Sequence, residues 1–228
     1  MSDPFVPGII SSTDLKTYRD SGVGMRVGFG IKTAILVVDM CRYIVDERSP
    51  LSCQFNGRQA VESISKLLMK ARPIGIPTVY TTQRGSEPYT SATGGRLVNK
   101  AIPKLSAFAQ MEEPHEILEE LKPESKEIVI VKPKPSAFFG TQLTSILLFH
   151  RIDTIIVTGA VTSGCIRATV DSAAALNFRV IVPIECVADR FQTSHEVSLF
   201  DMDCFLADVV PVQEVFDHLD NIDHDIYS

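Results

Sequence analysis

Five short runs of apolar, largely β-branched residues constrain this chain most. They are "TAILVVD" (33–39), "TVYTT" (78–82), "EIVIVK" (127–132), "TIIVTG" (154–159) and "RVIVPI" (179–184), with a weaker sixth, "ADVVPV" (207–212). None alternates apolar with polar residues. A continuous apolar run fits a strand covered on both faces, as in a parallel sheet. Between the runs lie helical patterns. In 57–72, Val61, Ile64, Leu67 and Leu68 recur at helical spacing, as do Leu143, Ile146 and Leu147 in 141–150. Residues 164–176 and 194–205 read the same way, and "HEILEELKP" (115–123) reads as a shorter helix ending before a proline. Alternating strands and helices predict an α/β fold: three layers, α/β/α, around a doubly wound, six-stranded, mainly parallel sheet.

The chain has 228 residues, 45% of them apolar, enough for one sizeable core. Residues 31–228 are expected to form a single domain. Residues 1–30 precede the first strand as an N-terminal extension with one short helix near 13–20, and "HLDNIDHDIYS" at the end reads as a frayed tail. Residues 84–114 form the longest poorly periodic connection; "GSEPYTSATGGRL" suits a lid, a binding loop or a merely structural one.

A net charge of −6 without a Lys/Arg cluster argues against nucleic acid as a partner. The longest apolar runs are far too short to span a bilayer, and "MSDPFVPGII" lacks the pattern of a signal peptide. The expected location is the cytoplasm, with no membrane partner. The five cysteines (41, 53, 165, 186 and 204) are odd in number and have no C-x-x-C spacing, which argues against a disulfide framework or a structural zinc site.

Ligands of open parallel sheets bind beyond the carboxyl ends of the strands. Asp39 stands at the end of the first run and Lys132 at the end of the third. Cys165 follows the fourth after a short turn, Gln83 and Arg84 follow the second, and Glu185, Cys186, Asp189 and Arg190 follow the fifth. The turn "GAVTSG" leads into a helix beginning near Cys165. Unpaired N–H groups and the helix dipole there favour a thiolate, and an ammonium nearby lowers the thiol pKa further. Cys165 is thus expected to alkylate well below the ordinary thiol pKa of about 8.5. A carboxylate close by can take the thiol proton and return it to a leaving amine. From the residues alone, Asp39 reads equally as a helix cap, Lys132 as a solvated strand end and Cys165 as an inert buried thiol. Cys41 competes for the same rim.

Four stretches carry a resemblance: "AILVVDM" (34–40), "VKPKPSAFFGT" (131–141), "VTGAVTSGCIRATVDSAAALNF" (157–178) and "DRFQTSHEVSLFDMD" (189–203). Across roughly residues 30–212 the chain resembles the isochorismatase-like cysteine hydrolases, and among them the N-carbamoylsarcosine amidase branch. The resemblance implies a catalytic triad at Asp39, Lys132 and Cys165. Lys132 is preferred over Lys134 because it lies four residues before Ser136. It also implies a cis peptide between Ala160 and Val161, an oxyanion hole from the N–H groups of Val161 and Cys165, and substrate contacts from Arg190 and Thr162. Arg190 would hold a substrate carboxylate.

The implied activity is hydrolysis of a C–N bond in a small linear amide or ureido acid through a thioester. No cofactor and no metal are expected. The metal motif of the superfamily's nicotinamidases, Asp-x-His after strand two, is replaced by "YTTQRGSEPY", and no histidine lies between 1 and 114. The alternatives are a maleamate-type or other small-amide hydrolase, an isochorismatase-type hydrolase that would work without Cys165, and a silent member of the fold. Relatives of this kind form dimers or tetramers, so a homodimer or homotetramer is expected, with "AAALNF" of the nucleophile helix as one apolar surface for it.

Overall fold

A computed structural model of the chain describes residues 7, 8, 10–83 and 113–227. Arg84 and nearly all of the 84–114 connection lie outside the described residues. Strands β1 (Thr33–Val38), β2 (Thr78–Thr82), β3 (Ile128–Val131), β4 (Thr154–Ala160), β5 (Arg179–Pro183) and β7 (Asp208–Val210) form a sheet in the order β3-β2-β1-β4-β5-β7. β6 (Val187–Ala188) pairs with the end of β4. All these pairings are parallel. The sheet therefore has seven strands where periodicity supports six; a strand of two residues is too short to leave a pattern.

The runs of the central strands are continuous because both faces of the sheet are covered there; the edge strand β3 leaves Val129 and Val131 exposed. On β1, Ile35 and Val37 face a cluster that includes Ile64 and Leu67 of α3 (Gly57–Ala71). Val215 and Leu219 of the last helix, Val212–Asn221, complete that side. Ala34, Leu36 and Val38 point the other way. They meet Leu143 and Leu147 of α4 (Leu143–Phe149), Val170 and Ala173 of α5 (Arg167–Ala175), and Leu199 and Met202 of α6 (Gln192–Phe205). Successive side chains of a strand point to opposite faces, so one six-residue strand feeds both cores. A short helix, α1 (Ser12–Asp20), lies before the sheet, and α2 (Arg42–Val45) follows β1.

Strand order reverses between β1 and β4: the chain runs outward from β1 to β2 and β3, then returns to the other side of β1 for β4 and β5. A crevice opens at such a switch point. At the carboxyl ends of this pair, Val38 is in register with Gly159. Gly159 has φ 112°, and a Cβ there would sit 2.0 Å from the Val38 carbonyl oxygen. Only glycine allows the two strand ends to approach this closely.

Two local expectations are corrected. Residues 115–123 form only a single 3₁₀ turn, Glu119–Leu121. Tertiary bonds hold the preceding residues out of a helix: Cys41 bridges to Ile117, Leu118 N–H donates to the Met40 carbonyl, and Thr82 Oγ1 donates to the His115 carbonyl. The C-terminal segment is docked, not frayed. The Tyr227 hydroxyl accepts the Thr33 N–H (2.8 Å) and donates to the Thr33 carbonyl (3.2 Å), and His218 stacks on Phe29 at 3.9 Å. The residues before β1 are tied down too. Asp153 accepts the N–H groups of Ile31 and Lys32, and Asp208 those of Val27 and Gly28. Among the described residues, no helix is long and apolar enough to cross a membrane.

Candidate active site

Three strand ends bring Asp39, Lys132 and Cys165 together. Asp39 follows β1 with a positive φ of 51°, a conformation aspartate tolerates better than most residues. Its carboxylate is held on both oxygens: Thr81 Oγ1 donates to Oδ1 (2.8 Å), while Gln83 Nε2 (3.4 Å) and Lys132 Nζ (2.7 Å) donate to Oδ2. Lys132 follows β3 and crosses beneath β2 to reach it. The ammonium has three protons and three acceptors: Asp39 Oδ2, the Lys134 carbonyl (3.0 Å) and Cys165 Sγ (3.3 Å). The two charged side chains are 0% and 1% exposed, so each needs the other; removing either strands a buried charge.

Cys165 arrives from β4. The Ala160–Val161 peptide is cis. One turn of π-helix, Thr162–Ile166, follows, and regular α-helix begins only at Arg167. The Val161 carbonyl accepts both the Gly164 N–H (2.9 Å) and the Ile166 N–H (3.2 Å), folding the turn around Cys165. Of the five cysteines, all free, Cys165 alone is partly exposed.

The charge state differs from the expectation of a depressed thiol. Burial first, and then the Asp39 carboxylate, push the Cys165 thiol up to about 12; Lys132 pulls the other way without prevailing. For Lys132, burial opposes the charge, but Asp39 and Cys165 outweigh it and the ammonium pKa is raised. In this arrangement the thiol keeps its proton and Lys132 its charge, and the ammonium links the sulfur to the Asp39 side chain. A carboxylate joined to the thiol through a shared ammonium can take that proton as a substrate is attacked.

The remaining predicted residues fall in two places. Arg190 follows β6; its Nε donates to the Leu51 carbonyl (2.9 Å), and it lines a cavity of about 360 Å³ with Ser49, Ser52, Gln54 and Phe191. Residues between 47 and 54 form the wall beside it. Thr162 is fully buried, and its hydroxyl is committed to the Ala188 carbonyl (3.1 Å) and His195 Nδ1 (2.8 Å). Both bonds brace the turn from within. Cys41 is buried with its sulfur against Thr82 Oγ1 (3.3 Å), and burial raises its thiol to about 12. Cys186 is buried, with its thiol likewise raised by burial.

Sequence reasoning placed Asp189 at the rim without a role and missed the other residues that hold this machinery in place. Buried Asp189 accepts the Ser163 N–H on Oδ2 (2.6 Å) and the Arg190 N–H on Oδ1 (2.7 Å). Asn56 accepts the Asp189 N–H (3.1 Å) and donates to the Val187 carbonyl (3.3 Å). Thr81 and His195 were also passed over. Thr81 sits within an apolar run, where a hydroxyl covered on both faces signals a polar partner; His195 carries no such signal.

Residues 33–214 match the isochorismatase domain. The chain is 37% identical over 210 residues to a maleamate amidohydrolase from Pseudomonas putida, covering 91% of this chain and 97% of that one. It is 32% identical over 210 residues to an N-carbamoylsarcosine amidase from an Arthrobacter species, covering 89% and 77%. Among solved structures, an isochorismatase-like hydrolase from Alkaliphilus metalliredigens superposes with a TM-score of 0.69 at 26% identity, covering 82% of this chain and 98% of that one.

Proposed function

Because this chain belongs to the isochorismatase family of hydrolases, we propose that it is a cysteine-dependent amidohydrolase releasing ammonia from a small amidated acid. The observation that carries this reading is Lys132 Nζ bridging a buried Asp39 carboxylate and the Cys165 thiol. Asp39 takes the Cys165 proton as sulfur attacks the amide carbonyl. The tetrahedral oxyanion is held by the N–H groups of Val161 and Cys165. Asp39 returns the proton to the departing nitrogen, and ammonia leaves as the carbonyl reforms as a thioester. Water, deprotonated by Asp39, attacks the thioester; the acid departs and the thiol regains its proton. Lys132 keeps its charge throughout and offsets the negative charge that moves between Asp39 and Cys165.

Two relatives sharpen the substrate class. Maleamate and N-carbamoylsarcosine, the compounds in their names, look different but share a plan: a terminal –C(O)NH₂ group, a spacer of two atoms and a carboxylate. Arg190 supplies the cation suited to that carboxylate. The substrate is thus an amidated or carbamoylated acid with this short spacer. The test is ammonia release from N-carbamoylsarcosine, maleamate, nicotinamide and other small amides, with wild type beside Cys165→Ser. Release by wild type alone supports the reading. Ammonia release retained by Cys165→Ser overturns it.

A further inference from the structure

The Thr162 hydroxyl has one proton and two partners. The Ala188 carbonyl (3.1 Å) can only accept, so the hydroxyl donates to it. His195 Nδ1, at 2.8 Å, must then carry a proton and donate to Thr162 Oγ1. His195 lies on α6 and is 6% exposed; Thr162 is 0% exposed. Ala188 pairs in register with Ala160, the first residue of the cis peptide. The chain of bonds from imidazole to hydroxyl to carbonyl therefore runs from α6 to the turn bearing Val161 and Cys165. Burial lowers the His195 pKa, with Asp189 and Glu196 opposing; Nδ1 carries the donated proton in either charge state of the ring.

We infer that His195 is a positioning residue for catalysis: its Nδ1–H, acting through Thr162, sets the orientation of the N–H groups at Val161 and Cys165. The inference rests on the reading of those two amides as the oxyanion hole. His195 touches neither substrate nor sulfur. Its contribution belongs to the transition state, where the oxyanion has formed, and not to substrate capture. The edge of the Phe55 ring (5.6 Å between centroids) restricts rotation of the imidazole.

The test compares wild type with His195→Leu, His195→Asn, Thr162→Val and the Leu/Val double variant, all as the full chain. Asparagine can place an N–H where Nδ1 stands; leucine cannot. Loss of one oxyanion donor costs about 10²–10³-fold in kcat, and a misoriented donor costs less, so His195→Leu is expected to lower kcat about 10–100-fold with KM within about twofold. Thr162→Val does the same, the double variant is no worse than either single one, and His195→Asn recovers most of the rate. An unchanged kcat, additive losses or no rescue by asparagine overturns the inference. If wild type releases no ammonia in a Cys165-dependent way, the proposed function fails instead. Amide hydrogen exchange then decides the clamp alone: exchange at residues 162–166 accelerates in His195→Leu and not in His195→Asn, or the inference is wrong. Should His195→Leu fail to fold, Thr162→Val and His195→Asn still give both arms.

Discussion

A thiol raised to about 12 makes a test of the resting charge state possible. At pH 7.5 such a thiol is ionised roughly once in 3 × 10⁴ molecules, whereas a free cysteine of pKa about 8.5 is ionised about once in ten. The thiolate fraction is thus lower by about 10^3.5. The more basic thiolate is intrinsically more nucleophilic, recovering about 10^1.5 for a Brønsted slope near 0.45. Iodoacetamide should therefore alkylate Cys165 roughly 100-fold more slowly than free cysteine. Asp39→Asn removes the negative charge that opposes ionisation and leaves Lys132, 3.3 Å from the sulfur, without its carboxylate. At an effective dielectric near 20, that ammonium attracts a thiolate by about 5 kcal/mol. Asp39→Asn should accordingly speed alkylation at neutral pH while abolishing turnover, since the base is gone. The assay is the alkylation rate from pH 6 to 10 by mass spectrometry, with Cys165→Ala as the blank because the other four cysteines are buried. A wild-type rate that plateaus below pH 8.5, or an Asp39→Asn variant slower than wild type, refutes the account.

Lys132→Met should lower stability in urea by about 3–5 kcal/mol by leaving Asp39 buried and unpaired, with much of the loss restored in Asp39→Asn/Lys132→Met. The ammonium pKa is raised in the fold, so its contribution is fully present below the ordinary lysine range and is lost as pH rises through the folded value; the deficit of Lys132→Met should be constant from roughly pH 6 to 9 and shrink only at strongly alkaline pH. Arg190→Ala should cut kcat/KM about 10–100-fold for acids of the proposed class but leave the corresponding esterified amides unchanged, as a charge-assisted contact predicts. Tyr227→Phe removes both bonds to Thr33 and should cost about 1–2 kcal/mol, lowering the melting temperature by roughly 2–8 °C; an unchanged melt would mean that the docked tail contributes nothing.

Strands declared themselves in the sequence because burial on both faces leaves runs such as "AILVV" that no surface element carries. Asp39, Lys132 and Cys165 were legible for a related reason: a parallel sheet sends its strand ends to one rim, and these residues stand at those ends. The charge on Cys165 was not legible. A helix entrance and a lysine can be read from order along the chain, but burial and the nearness of the Asp39 charge exist only in three dimensions, and they prevail. The bonds of the Thr162 hydroxyl to Ala188 and His195 were not legible either, because which way a hydroxyl points from a π-turn is not written in the spacing. His195 looked like any residue of a half-buried helix, since its meaning comes from Thr162, 33 positions away. The docked C-terminal tail escaped notice because Tyr227 finds its partner at Thr33, 194 residues distant.

Asp189 has a consequence for how such an enzyme can be retooled. One buried carboxylate grips the main chain at Ser163 and again at Arg190, so the nucleophile turn and the arginine's backbone move as one piece. Under the proposed function, that piece works as a fixed gauge with the anion grip of Arg190 at one mark and the turn of the attacking sulfur at the other. Lengthening or shortening the substrate cannot be achieved by sliding one mark without breaking the gauge. Adaptation to a new molecule is left to the facing wall, where residues 49–54 line the cavity beside Arg190. Grafting that wall from a relative should exchange the preferred acid while Asp189, and the spacing it enforces, stays untouched.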